Sequence, residues 1–185
     1  MKKWITADIH FGHANILKFC AASRPFFDTD EMDETIIKNW NALISFNDIV
    51  YILGDVAFAN ADRAARLVNR LNGTKILVKG NHDTKILREP VFRACFAEVH
   101  DYLEIGHAGS RLVMFHFPIW EWDRMHHGAV HFHGHCHGRK TGIPGRIFDV
   151  AMDANNCLPH LLDDAIAKAM RFPVRNHWPV VQSRL

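Results

Sequence analysis

Aspartate, asparagine and histidine residues recur in five short segments of this chain, each at the end of an apolar run. The segments are Asp8-Ile9-His10, Gly54-Asp55, Gly80-Asn81-His82-Asp83, His116 and Gly134-His135-Cys136-His137. Carboxylate oxygens, imidazole nitrogens and an amide oxygen form a mixed ligand set that suits Mn, Fe, Zn or Ni better than calcium or a thiolate cluster. The residue types therefore indicate a site for transition-metal ions.

The number of candidate ligands favours two metal ions over one. The seven candidates are Asp8, His10, Asp55, Asn81, His116, His135 and His137. An aspartate can present one oxygen to each of two ions, and ions about 3.5 to 4 Å apart can hold the attacking and leaving oxygens of an in-line displacement. Because Asp55 follows the central predicted strand, we expect it to bridge the two ions.

The apolar pattern predicts a frame that brings these segments together. Short β-branched runs alternate with amphipathic ones, which is typical of an α/β fold. The pattern predicts strands at 3–7, 49–53 and 75–79, and helices at 30–45 and 60–71, the second capped by Asn60. Ligands collect outside the carboxyl ends of strands in open α/β sheets, so three polar loops are expected to face one crevice.

The second half of the chain has a different pattern. The runs VHDYLEI, RLVMF, AVHFH and RIFDV read as strands joined by turns, and we expect a mainly antiparallel arrangement there. A last helix is predicted around 160–171, stopped by Pro173, with a tail that ends near Trp178 and Pro179. Residues 1–185 are expected to form one domain.

Composition excludes several classes of protein. The chain has 185 residues, is 48% hydrophobic and carries a formal charge of +2, with no basic stripe for a stable nucleic-acid complex. No segment has the length of a membrane span. Asp8 interrupts the first apolar run, and the four cysteines are widely spaced, so we expect no secretory signal, free thiols and a cytoplasmic location. Nothing in the sequence indicates an oligomeric state.

The five segments, in this order, resemble the motif blocks of the calcineurin-like metallophosphoesterases. Any one block would be weak evidence, whereas five in order at strand ends are a strong signal. The blocks span residues 8–137, and the opening ITADIHFGHANI looks like that of the compact bacterial or phage members. The resemblance implies a four-layer α/β/β/α sandwich with a dinuclear site, Mn being the first choice, that hydrolyses phosphate mono- or diesters through attack by a metal-bound water.

The resemblance also implies roles for individual residues. One ion would be held by Asp8, His10, Asp55 and His137. The other would be held by Asp55, Asn81, His116 and His135. His82 would be the general acid.

One departure from the family pattern bears on the substrate. In the protein Ser/Thr phosphatase branch the Gly-Asp block continues with an aspartate and an arginine, but here Val56-Ala57-Phe58-Ala59 follows. That branch's substrates are therefore not expected, and His82 needs another orienting group. Asp83 is adjacent, although a helix cap or turn residue is an equally good reading of it.

Residues that would contact the substrate must come from outside the blocks. The candidates are Arg24, Arg139, Lys140, Trp120 and Trp122. Each has an alternative reading, as solvated surface for the cations and as core or lid packing for the tryptophans. If the tryptophans form the rim of the site, they could stack on a nucleobase, so a nucleotide is a candidate substrate.

The histidine-rich stretch 126–137 admits a rival interpretation. Such tracts can store or deliver metal without catalysis, but that function leaves Asp8, Asp55 and Asn81 unexplained. His135 and His137 are expected to lie on an extended segment, where residues two apart share a face. His131 and His133 precede the turn at Gly134, and we expect them to be buried or partly buried strand histidines. Their partners would be backbone groups or side chains that surround the metal ligands.

Overall fold

The computed structural model describes residues 1–175, so the predicted tail with His177, Trp178 and Pro179 lies outside the described residues. The helices are α1 (Ile16–Phe19), α2 (Thr29–Leu43), α3 (Ala61–Asn69), α4 (Asp83–Ile86), α5 (Pro90–Arg93) and α6 (Leu162–Ala169). The strands are β1 (Lys3–Thr6), β2 (Ile49–Ile52), β3 (Thr74–Val78), β4 (Glu98–His100), β5 (Leu103–His107), β6 (Ser110–Met114), β7 (Val130–His133), β8 (Ile147–Asp149) and β9 (His160–Leu161).

The first sheet has the order β4-β3-β2-β1-β9. Its first four strands are parallel, and β9 runs antiparallel to β1 at the edge. The predicted strands and the helices between them are confirmed to within a few residues. Asn60 caps α3 as predicted, since its side chain accepts a hydrogen bond from the Arg63 backbone N–H.

The second sheet has the order β5-β6-β7-β8, and the prediction that it is mainly antiparallel is wrong. Only β5 and β6 form an antiparallel pair, while β6–β7 and β7–β8 are parallel. Parallel neighbours need a crossover of about a dozen residues or more. The connections 115–129 and 134–146 are that long, so the chain can return to the same end of the sheet before the next strand begins.

The two sheets pack face to face, which confirms the predicted α/β sandwich class. Helices α2 and α3 cover the outer face of the first sheet with residues such as Trp40 and Val68. The inner faces of both sheets share one apolar cluster, in which Leu53 and Phe132 are fully buried, and α6 also packs into it. The segment 115–129, which includes a single 3-10 turn, covers the outer face of the second sheet through Trp122.

Two further predictions concern the whole chain. The four cysteines, Cys20, Cys95, Cys136 and Cys157, are free thiols, as predicted. Within residues 1–175, every helix is too short or too polar to cross a lipid bilayer.

Candidate metal centre

Parallel pairing brings the first two polar loops into contact. The Asp8 backbone N–H donates to the Gly54 carbonyl at 3.0 Å, and the His10 N–H donates to the Asp55 carbonyl at 3.0 Å. The loops after β1 and β2 therefore extend side by side beyond the sheet, as expected for neighbouring strands of the same direction. Their side chains are almost completely buried at this edge.

One group of predicted ligands gathers around Asp8. A ligand atom from each of Asp8, His10 and His137 lies within 4.8 Å of the other two. The Asp8 Oδ1 atom is 3.7 Å from His10 Nε2 and 3.8 Å from His137 Nε2. These separations are too long for hydrogen bonds and leave the three atoms facing a common point.

A second group gathers around Asp55. Asp8, Asp55 and His116 also lie within 4.8 Å of one another, with Asp55 Oδ2 3.6 Å from His116 Nε2. The same Asp55 oxygen is 4.0 Å from His10 Nε2, so Asp55 lies between the two groups. The Asn81 Oδ1 atom is 2.9 Å from His116 Nε2 and belongs to the second group.

His135 completes the set of seven. Its backbone N–H donates to Asp8 Oδ2 at 2.8 Å, and its ring lies edge-on to that of His116 with centroids 5.3 Å apart. The seven residues come from five separate segments of the chain, and these contacts connect all of them.

The residues present fit a cation. Asp8 Oδ1 and His10 Nε2 are buried with no hydrogen-bond partner, an arrangement that is costly unless something else satisfies them. Burial and the neighbouring Asp55 carboxylate raise the pKa of Asp8 well above its usual value. Burial, together with nearby cationic groups, lowers the pKa of His10 to about 2, so its imidazole is neutral and can act as a ligand. A divalent cation among these atoms would stabilise the charged carboxylate.

The backbone is strained at these positions. Among residues 1–175, nine residues other than glycine have a positive φ, and five of them are predicted ligands: Asp8, His10, Asp55, His135 and His137. A left-handed conformation disfavours a residue with a Cβ, and such residues cluster at functional sites. His135 and His137 therefore lie in a tight turn after β7, and the prediction that they occupy an extended segment is wrong.

Two motif glycines are required because the loops approach one another closely. A Cβ on Gly80 would come within 3.0 Å of the side chain and the backbone nitrogen of Asp55. A Cβ on Gly134 would come equally close to the Asp8 carboxylate and to Ala7. Asp55 and Asp8 thus each pack against a glycine from a different loop.

Hydrogen bonds set the orientation of two histidine rings. His116 Nδ1 lies 2.7 Å from the Leu53 carbonyl, so its N–H donates there and Nε2 presents a lone pair to the centre. His137 Nδ1 donates to the Asp153 carboxylate at 2.7 Å in the same way. Carboxylate and carbonyl partners of this kind commonly orient metal-binding histidines.

Asp153 is a functional candidate that the sequence did not reveal. It lies in a 3-10 turn (Met152–Asn155), far from the motif blocks, and no spacing rule points to it. Burial alone would raise its pKa, but hydrogen bonds from His137 and Arg24 outweigh that effect and hold the pKa well below its usual range. The carboxylate is therefore charged beneath the centre.

The structure places Arg24 under the centre, where it cannot contact a substrate as predicted. The residue is 1% exposed, and its Nε and Nη2 atoms both donate to Asp153 at 2.9 Å. Its remaining donors reach the backbone carbonyls of Asp8 and Ile9. Arg24 thus fixes the loop that carries the first two ligands.

His82 stands beside the centre rather than within it. Its Nε2 atom is 3.8 Å from Asp55 Oδ2, and its side chain is 48% exposed. Asp83 turns away from it and accepts hydrogen bonds from the backbone N–H groups of Asp55, Val56 and Gly80 at 2.8 to 3.0 Å. Asp83 therefore joins the loops after β2 and β3, and it does not orient the His82 ring.

The other residues that we predicted to contact the substrate differ in burial: Trp122 is buried, and Trp120, Arg139 and Lys140 are exposed. Trp122 is 7% exposed and packs in the core, where its indole N–H donates to the Ala129 carbonyl, so it cannot contact a substrate. Trp120 is 55% exposed, with the Arg175 guanidinium 4.5 Å from its ring centroid. Arg139 and Lys140 are exposed in the loop after His137. Within residues 1–175, the hydrogen bonds and ring contacts of Trp120 and Arg139 involve Arg175 and Cys136 rather than the seven ligand candidates.

Two aromatic neighbours of the centre, Phe58 and His13, were not identified from the sequence. Phe58 stacks on His13 with ring centroids 3.8 Å apart and an interplanar angle of 9°. Its centroid is also 5.0 Å from that of His10 and 4.4 Å from that of His82. Both residues lie in loops that the sequence had assigned to the site, since Phe58 follows the Gly-Asp block and His13 follows Asp8-Ile9-His10.

The sequence can also be compared with known proteins. The uncharacterized protein MJ1445 of Methanocaldococcus jannaschii is 36% identical over 138 residues, covering 74% of this chain and 69% of the archaeal protein. The chain belongs to the family of that protein. The gene 66 protein of Mycobacterium phage D29 is 28% identical, covering 82% of this chain and 87% of its own. No family model matches the sequence.

A solved structure supports the fold. A protein of unknown function, AQ665 from Aquifex aeolicus, superposes with a TM-score of 0.69 at 24% identity. The match covers 90% of this chain and 98% of that one. At this identity the comparison establishes the shared α/β sandwich, and the chemistry has to be inferred from the site itself.

Proposed function

We propose that this protein is a metal-dependent phosphoesterase that hydrolyses phosphate mono- or diesters at a centre of two divalent ions. The observation that carries the proposal is the convergence of two ligand groups on neighbouring loops. Asp8, His10 and His137 form one, and Asp8, Asp55 and His116 form the other. The orphaned buried atoms of Asp8 and His10 argue that a cation belongs there.

The proposed ligands divide into two sets that share Asp55. Asp8, His10, Asp55 and His137 would hold one ion, and Asp55, Asn81, His116 and His135 the other. The mixture of oxygen and nitrogen donors suits Mn first, with Fe, Zn or Ni as alternatives. Divalent ions bound by these residues would supply Lewis-acid polarisation of the phosphoryl group and activation of water for attack.

His82 is proposed as the general acid. In hydrolysis a P–O bond to the water oxygen forms, the P–O bond to the alcohol breaks, and the departing oxygen needs a proton. The His82 Nε2 atom is 3.8 Å from Asp55, and its exposed ring can deliver that proton from the edge of the centre. A proton transfer of this kind contributes about 10²- to 10⁴-fold to the rate.

The surroundings of the histidine-rich stretch argue against a metal-storage function. His131 is buried, and its ring nitrogens lie 3.2 Å from the Val113 and Phe117 carbonyls. His133 is buried as well, with Nδ1 2.7 Å from the Gly134 carbonyl. Both histidines have the backbone partners that we predicted, so they do not form an open metal-binding surface.

Asp55→Asn is the first test of the proposal. The substitution preserves volume but removes the charge that would bridge two cations, so we expect metal content below two ions per chain and loss of Mn-dependent hydrolysis of p-nitrophenyl phosphate and bis-p-nitrophenyl phosphate. Asp62→Asn, on the exposed side of α3, is the matched control and should keep both properties. An Asp55→Asn protein with two ions and full turnover would remove this residue from the centre.

His82→Ala tests the acid role separately. Acid catalysis matters less when the leaving group is already a stable anion, so the variant should lose far more activity on an alkyl phosphate than on p-nitrophenyl phosphate. The metal content, measured by elemental analysis, should not change. Equal losses on both substrates would assign His82 to positioning rather than proton transfer.

A further inference from the structure

An open cleft of about 560 Å³ is lined by His82 and by residues of the segments 57–61 and 85–89. Apolar side chains line much of it: Ala57, Phe58, Ala59, Ala61 and Ile86. Three of these five are alanines, whose small side chains leave space in the cleft for a bound group. None of these five residues is among the predicted metal ligands or the predicted substrate contacts.

Phe58 connects this cleft with the candidate centre. One face of its ring is covered by His13, which stacks almost parallel at 3.8 Å between centroids. The ring also lies 4.4 Å from His82, which lines the same cleft. A group that enters the cleft therefore passes the proposed proton donor and meets the Phe58 ring.

The charges at the rim disfavour an anionic occupant. Lys85 and Glu89 both line the cleft and have opposite signs, so the rim has no net charge that would attract a second phosphate. A flat, neutral and apolar group fits this lining better. Aromatic rings meet that description, and they gain from stacking or edge contacts with another ring.

We propose that the cleft binds a planar aromatic ring on the alcohol part of the substrate, a chemistry that nucleoside and aryl esters share. The inference rests on the proposed function and specifies its substrate class. In an in-line displacement the leaving group departs on the side of the general acid, and the cleft begins at that residue. Phe58 replaces the predicted tryptophans as the ring that contacts the substrate.

The test uses two pairs of substrates whose leaving oxygens match within each pair. One pair is 2-naphthyl phosphate and phenyl phosphate. The other is adenosine 5′-monophosphate and methyl ribofuranoside 5-phosphate, which lacks the base. Because a stacked ring contributes about 1 to 3 kcal/mol, the ester with the larger ring or with the base should have a kcat/KM roughly 5- to 150-fold higher in at least one pair. The pair that shows the higher kcat/KM indicates whether the cleft binds the ring of an aryl ester or the base of a nucleoside ester.

Two variants test whether the increase in kcat/KM arises in the cleft. Phe58→Leu keeps an apolar side chain without a ring, and Ala61→Leu reduces the room in the cleft. Each should bring the kcat/KM ratio within the responsive pair towards one, at unchanged metal content. Phe27→Leu, at a position that is 93% exposed, is the control and should keep the wild-type ratio. If Phe58→Leu does not fold, Ala61→Leu alone decides.

The outcomes separate this inference from the proposed function. Hydrolysis of the esters with equal kcat/KM within both pairs would overturn the cleft proposal and leave the phosphoesterase proposal standing. A gain that survives both variants would also overturn it. If the Mn-loaded protein hydrolyses bis-p-nitrophenyl phosphate but none of the four monoesters, the cleft proposal alone fails. If it hydrolyses none of these five compounds, both proposals fail.

Discussion

Asp153→Asn should reduce stability and impair the centre at the same time. The Asp153 carboxylate has no exposed surface and accepts hydrogen bonds from Ser23, Arg24 and His137 at 2.7 to 2.9 Å. The amide offers one acceptor oxygen and places an NH₂ group against the donors that surround it. The Arg24 guanidinium then remains buried without its counter-ion.

The magnitude follows from that burial. Breaking a buried ion pair by removing one partner costs about 3 to 5 kcal/mol. For a chain of this size each kcal/mol shifts Tm by about 2 to 4 °C, so the Tm should fall by about 6 to 20 °C. His137 also loses its charged partner, and the loss of such support typically weakens metal binding about 10- to 100-fold.

The control for this prediction is Asp163→Asn. Asp163 also lies 2.7 Å from a histidine nitrogen, that of His107, but its side chain is 66% exposed. An exposed pair contributes at most about 1 kcal/mol, so this variant should retain the wild-type Tm within a few degrees. Thermal unfolding in EDTA separates the structural effect from metal loss, and Mn titration then measures binding. If both variants unfold at the same temperature, the argument from burial is refuted.

Three further predictions concern other parts of the molecule. Gly80→Ala should lower kcat about 100-fold by displacing the proposed bridging aspartate, whereas Gly106→Ala, where a Cβ meets no atom within 4 Å, should be neutral in the same assay. Burial lowers the pKa of His131 from 6.5 to about 4, so the unfolded state binds more protons in that window and the unfolding free energy should fall by up to about 3 kcal/mol as the pH drops through it. An NMR titration of the His131 ring with a midpoint near 6.5 would contradict this. Trp122→Ala should cost about 3 to 5 kcal/mol in denaturant unfolding, but Trp120→Ala should cost little, and equal costs would mean that the difference in their burial is misjudged.

The sequence predicted the loops of the candidate centre because local patterns encode them. A parallel strand followed by glycine and a polar residue is visible in Gly54-Asp55 and in Gly80-Asn81, and strand order brings such loops to one edge. The strands and helices of the first sheet followed from apolar periodicity and from the cap at Asn60. These features depend on neighbours in sequence.

The features that the sequence did not reveal depend on distant contacts. The direction of β7 and β8 is set by the path of two long connections. The apolar pattern of a strand is the same whether it pairs parallel or antiparallel with its neighbour, so the pattern could not predict the direction. Asp153 acquires its role only because the fold places it next to Arg24, 129 positions away in the chain. The loop context of Trp122 allowed two interpretations, a rim residue that contacts the substrate or core or lid packing, and only the fold shows that it covers the outer face of the second sheet.

The left-handed backbone at five of the proposed ligands lowers the stability of the fold in order to position groups for metal binding. Each such residue costs about 1 kcal/mol or more, and the total is a substantial share of the 5 to 15 kcal/mol that stabilises a typical domain. Glycine would relieve the strain at every one of these positions and would remove a ligand each time. A laboratory selection for heat resistance alone would therefore favour loss of the proposed ligands, so a search for more stable variants of this protein has to screen for metal binding in parallel.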